Sequence, residues 1–110
     1  MEDDSKKFIY YRVTPLEDFL TGERLFLEIG NHPIVIFNVG SEYFATGDIC
    51  THDGGEIGDG ELDGEEIICP RHGARFNIRS GKALTLPAVT DIPVYPLRLV
   101  DGYLEIGIPE

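Results

Sequence analysis

Cys50-Thr51-His52-Asp53-Gly54-Gly55 and Cys69-Pro70-Arg71-His72-Gly73 are the two stretches on which the reading of this chain turns. Each offers one thiolate and one imidazole, and sixteen residues separate His52 from Cys69. Sulfur and nitrogen donors stabilise different charges, so the pair suits a site with two chemically distinct halves, each holding its own metal ion. Both motifs run into glycine, which lets backbone come close to whatever the ligands hold. A structural zinc site could use the same four residues, since tetrahedral Cys₂His₂ is a common closed zinc geometry. Its usual knuckles pair Cys with Cys and His with His, whereas each motif here is mixed. Cysteines buried as small apolar residues would leave the histidines and glycines without a reason.

In order, spacing, glycines and Pro70, the two motifs resemble those of Rieske-type ferredoxins. The likeness runs over roughly residues 43 to 88, from Tyr43-Phe44-Ala45 through Phe76 and Ser80-Gly81 to Leu86-Pro87-Ala88. It implies one [2Fe–2S] cluster, with Cys50 and Cys69 on one iron and His52 and His72 on the other. Two thiolates leave the oxidised centre neutral where four would make it a dianion, so histidine ligation raises the reduction potential. The added electron is expected on the histidine-bound iron, which makes His52 and His72 the exit route as well as ligands, with their ring edges exposed at the tip. The resemblance further implies a rim of Asp53, Arg71, Gly73 and Pro87, the proline belonging to a loop that shields the cluster from water.

High-potential members of the family carry a serine two residues after the second histidine ligand and a tyrosine two beyond it. This chain has Ala74 and Phe76 there. With fewer hydroxyl donors to sulfur and many carboxylates nearby, the expectation is a low-potential cluster. Rieske subunits of respiratory complexes also carry a membrane anchor and a cysteine pair bridging the two loops; Gly55 and Arg71 stand around those places here. The resemblance therefore implies a one-electron carrier and not an enzyme. It would take electrons from an NAD(P)H-dependent flavoprotein reductase and pass them to the terminal oxygenase of a ring-hydroxylating dioxygenase-like system. The competing readings are a noncatalytic subunit of another redox enzyme, such as a nitrite reductase small subunit, and a zinc-stabilised interaction module.

Composition narrows the partners. A chain of 110 residues makes one domain, 1–110, with no room for a second catalytic one. Neither an apolar leader behind Met1-Glu2-Asp3-Asp4-Ser5-Lys6-Lys7 nor a membrane-length run is seen, so a cytoplasmic protein, monomeric in isolation, is expected. The formal charge of −11 argues against nucleic acid, which needs clustered Lys and Arg. Asp53, Glu56, Asp59, Glu61, Asp63, Glu65 and Glu66 fall between the motifs with no basic residue among them. They would either steer a basic redox partner or form a solvated acidic hairpin.

Strand-length apolar or alternating runs separated by turn signals predict an all-β chain of nine or ten short strands. The runs are Phe8–Val13, Arg24–Ile29, Pro33–Val39, Glu42–Thr46, Glu65–Cys69, Arg75–Ile78, Val94–Val100 and Tyr103–Ile108. Pro15–Leu20 has room for one helical turn, and Gly30-Asn31, Gly40-Ser41, Asp63-Gly64, Ser80-Gly81 and Asp101-Gly102 supply turns. Two antiparallel sheets around one core are expected to form a base domain in a Rieske-like fold. A small inserted cluster-binding subdomain, from about 48 to 83, would hold all four candidate ligands. His32, beside Asn31 and Pro33, reads as a surface turn residue, and Phe8, Tyr10, Phe26, Phe37, Phe44 and Tyr103 as strand packing.

Overall fold

The computed structural model describes residues 7–51, 53–88 and 90–110. His52, and the residues 1–6 on which the reading of the N-terminus rested, lie outside the described residues. Among the described residues nine strands are formed: β1 (Phe8–Pro15), β2 (Arg24–Ile29), β3 (His32–Val39), β4 (Glu42–Gly47), β5 (Leu62–Asp63), β6 (Glu66–Ile68), β7 (Arg75–Asn77), β8 (Leu97–Val100) and β9 (Tyr103–Pro109). The helical turn is a 3₁₀ segment, Leu16–Asp18. All pairings are antiparallel, in three sheets ordered β1-β9-β8, β2-β3-β4 and β5-β6-β7.

β3 explains how the sheets stack. Ile34, Val35, Ile36 and Phe37 are all buried, so this strand is covered on both faces. Because side chains alternate along a strand, Val35 and Phe37 join Ile57, Ile67, Phe76 and Ile78 on one side. Ile34 and Ile36 join Phe19, Tyr95, Leu104 and Ile106 on the other. The middle sheet is thus a wall between two apolar clusters, where a single core was expected. The first two sheets form the base, and the third covers the opposite face of the wall.

Two local expectations change, and one strand, β5, is not among the expected runs. β8 begins at Leu97, not Val94, because residues 93–96 cross from one sheet to another. The Gly47 N–H donates to Pro93 O, the Tyr95 N–H to Ala45 O, and the Gly107 N–H to Pro96 O. Pro93 and Pro96 lack N–H donors, which suits a crossing segment and not a ladder. β5 is only two residues long and carries no readable pattern. His32 opens β3 instead of lying in the turn, and its Nδ1 sits 3.2 Å from the Tyr95 hydroxyl.

The acidic hairpin acquires cations from β7, which lies beside β6, and from the turn that follows it. Arg75 pairs with Asp63 at 3.0 Å and Glu66 at 3.1 Å, and Arg79 with Glu65 at 2.7 Å. Arg79 also reaches Glu42 on β4 at 3.1 Å, tying the third sheet to the middle one. Among the described residues, no ion pair involves Glu56, Asp59 or Glu61, all exposed. No helix among the described residues is long and apolar enough to cross a membrane.

Candidate metal centre

The two motifs fold into the same loop. In the first, the Gly54 N–H donates to Cys50 O (2.7 Å) and the Cys50 N–H to Gly55 O (2.7 Å). In the second, the Gly73 N–H donates to Cys69 O (3.0 Å) and the Cys69 N–H to Ala74 O (2.8 Å). Each loop closes through a glycine at positive φ, 78° at Gly54 and 75° at Gly73. A side chain there would be strained, which accounts for glycine at the same place in both motifs.

Positioning comes from residues well outside the motifs. Asp48 Oδ1 accepts from the N–H groups of Ile57 (3.0 Å) and Gly58 (2.7 Å), fixing the exit of the first loop. Arg24 on β2 donates to the carbonyl oxygens of Gly58 and Gly60. Thr85 and Thr90, from a third stretch of chain, come alongside: the Thr51 hydroxyl donates to Thr90 O, and Thr85 Oγ1 accepts from the Arg75 N–H. The sequence reading missed Arg24 and Asp48. Asp48 stands two residues before Cys50 and was open to suspicion, whereas nothing in the sequence marks Arg24.

Cys50 and Cys69 are fully buried, backed by Ala74 and Phe76 in the cluster beneath them. One ligand atom each of Cys50, Asp53 and Cys69 lie within 4.8 Å of one another. Burial opposes ionisation of Cys69, but the N–H groups of Arg71 and His72, the Cys50 thiol and the Arg71 charge outweigh it and pull the thiol below its ordinary value. His72 is half exposed, at 54%, with Nδ1 3.4 Å from Asp53 Oδ2. The structure thus brings Cys50, Cys69 and His72 together around Asp53.

Asp53 itself is committed elsewhere. Arg71 donates Nε to Oδ2 at 2.6 Å and Nη2 to Oδ1 at 3.0 Å, and the Gly55 N–H adds a bond of 2.9 Å. Arg71 first, then Gly55, hold the carboxyl well below the usual range, and the pairing raises Arg71 in turn. A carboxylate so occupied is a poor metal donor. What remains are two buried soft thiols, one predisposed to ionise, and an imidazole at the surface. That donor set suits an iron–sulfur centre.

Comparison with known proteins agrees. Residues 9–96 match the family model described as Rieske [2Fe-2S] domain. The chain is 37% identical over 84 residues to the ferredoxin component of the naphthalene 1,2-dioxygenase/salicylate 5-hydroxylase systems of Ralstonia sp., covering 76% of this chain and 81% of that one. It is 37% identical over 98 residues to the 3-phenylpropionate/cinnamic acid dioxygenase ferredoxin subunit of Escherichia coli K12, covering 87% and 91%. Its fold superposes with TM-score 0.81 on a chain of the solved complex of reduced oxygenase and oxidized ferredoxin in carbazole 1,9a-dioxygenase, at 29% identity, covering 89% and 92%.

Proposed function

The chain belongs to the Rieske [2Fe-2S] domain family, and from that membership we propose that Cys50, His52, Cys69 and His72 hold its one cluster. The segment from about 48 to 83 would then be the cluster-binding subdomain of a single unit. The protein is an electron carrier of an oxygenase system and not itself a catalyst. Its proposed partners are a flavoprotein reductase that loads it and a terminal oxygenase that it serves. The observation that carries the ligand assignment is the pair of identical loops, which set two buried thiols within 4.8 Å of a shared carboxylate and leave His72 at the surface.

When bound, the cluster supplies a site that accepts and releases one electron. The chain's own residues do the rest. Cys50 and Cys69 bind from the buried side, where Ala74, Phe76 and Ala88 keep water away. His72 faces outward, so a partner docking on the loops meets an imidazole edge and not a sulfur. On the stretch of chain that Thr51 and Arg75 bond to, Leu84, Leu86 and Pro87 are exposed, apolar surface that a partner can desolvate. The unpaired Glu56, Asp59 and Glu61 give the carrier an acidic flank suited to a basic partner face.

Ala74 and Phe76 also support a low potential, since both are fully buried and neither bears a hydroxyl. The deciding experiment is metal and sulfide analysis of anaerobically purified protein, with an electron paramagnetic spectrum after dithionite reduction. Two irons, two sulfides and a Rieske signal, together with electron transfer from a flavoprotein reductase to an oxygenase, are expected. Stoichiometric zinc and a silent spectrum would overturn the ligand assignment.

A further inference from the structure

We propose that Asp53, Arg71 and Gly55 form one device, an ionic clasp that ties the two ligand-bearing loops together while keeping the charge beside the centre balanced. Arg71 is its positioning residue. The inference rests on the ligand set proposed above.

Each loop closes its backbone hydrogen bonds on itself, and among the described residues no backbone hydrogen bond crosses from residues 50–55 to 69–74. The crossing is made by side chains. The Arg71 guanidinium engages both oxygens of Asp53, at 2.6 and 3.0 Å, in the two-pronged geometry that a planar fork makes and an ammonium does not. The Gly55 N–H, at 2.9 Å, sets the orientation of the carboxylate within its own loop. The Asp53 side chain is 19% exposed while the residue as a whole lies at the surface, so the two-pronged geometry and not burial holds the pair.

Gly55 makes the space. A Cβ built on it would lie 2.6 Å from both Cζ and Nη2 of Arg71 and 2.9 Å from Nε. The guanidinium therefore occupies the room a side chain at position 55 would need. The φ of Gly55 is not in the left-handed region, so contact with Arg71 and not backbone strain is what glycine provides there.

Asp53 and Arg71 stand one residue from His52 and His72, so a change in the clasp moves the ligands directly. Their opposite charges also cancel beside the centre. An uncompensated carboxylate opposes addition of an electron, and an uncompensated guanidinium favours it. Two substitutions that cut the same link must then shift the potential in opposite directions. A purely mechanical tie has no such signature.

The test measures midpoint potential and the rate of cluster bleaching by excess chelator in wild-type holoprotein and in Arg71→Gln, Asp53→Asn, the double variant, Arg71→Lys and Gly55→Ala. Bleaching is expected to quicken several-fold in all five. The potential should fall in Arg71→Gln, rise in Asp53→Asn and return close to wild type in the double variant. Arg71→Lys keeps the charge but not the fork, so its potential should hold while bleaching quickens. Gly55→Ala should quicken bleaching in the wild type and add nothing in Arg71→Gln. Potential shifts of the same sign in the two single variants, or unchanged bleaching in Arg71→Lys and Gly55→Ala, overturn the clasp. If the neutralising variants assemble no cluster, Arg71→Lys and Gly55→Ala decide it. Wild-type protein lacking iron and sulfide would instead sink the ligand assignment, a failure that is plainly distinct.

Discussion

Arg24 Nη1, on β2, donates to the carbonyl oxygen of Gly60 at 2.6 Å, and the same nitrogen serves Gly58 O at 2.5 Å. One cation of the base sheet thus holds the chain where it leaves the first ligand loop. The guanidinium also lies over the Phe37 ring, 5.4 Å from its centroid, so its position is fixed by packing as well as by polarity.

Arg24→Ala should accordingly loosen the first loop and lower global stability by about 2 kcal/mol, the range for hydrogen bonds from a charged donor. Arg24→Lys keeps the charge but cannot reproduce the packing and should recover only part of the loss. Urea unfolding of the three proteins measures it, with equal midpoints counting against the role assigned to Arg24.

Ala74→Ser and Phe76→Tyr should each raise the reduction potential. A hydroxyl donated to a sulfur gains strength as that sulfur becomes more negative, by about 1 kcal/mol. At about 59 mV per tenfold change for one electron, this amounts to about 40 mV per substitution. Phe76 is fully buried, so its new hydroxyl needs that sulfur as a partner and should destabilise the apoprotein. Protein-film voltammetry checks the shift, and an intact cluster with an unmoved potential refutes missing hydroxyl donors as the cause of a low potential.

Glu56, Asp59 and Glu61 bear the free acidic charge of the flank, whereas Asp63, Glu65 and Glu66 are already paired with Arg75 and Arg79. Converting the first three to amides should slow electron delivery to a basic partner at low salt and flatten its dependence on ionic strength. Converting Asp63 alone should do much less. Stopped-flow reduction of the acceptor over a range of salt concentrations distinguishes the two.

Glu65 carries a stability effect whose pH window has a definite sign. Its hydrogen bond from Arg79 lowers the carboxyl below its ordinary value of 4.5. A depressed carboxylate contributes stability that is present above the ordinary value and is lost as pH falls through the lowered one. Glu65→Gln should therefore be less stable than wild type at neutral pH, by a small amount because the pair is exposed. The difference should vanish in acid. Urea midpoints at pH 7 and below pH 3 give the comparison.

Sequence by itself determined those features whose causes lie within a few residues. Asp101-Gly102 adopts φ of 53° and 82° and closes the β8–β9 hairpin, as a two-residue turn of that composition should. The two mixed motifs and the glycines that close them were likewise visible, because the backbone bonds that close each loop, Cys50 with Gly54 and Gly55 and Cys69 with Gly73 and Ala74, span only a few residues. Tertiary structure alone decided the rest. Val35 and Ile36 are both apolar and adjacent, and no local pattern says that one faces the metal-centre cluster and the other the terminal sheet. That division sets which strands lie side by side, and so brings Tyr95 to His32, Arg79 to Glu42 and Arg24 to Gly60. Arg71 meets Asp53 for the same reason: two self-contained loops are placed face to face by the sheets that carry them, and charges 18 residues apart become a bonded pair only there.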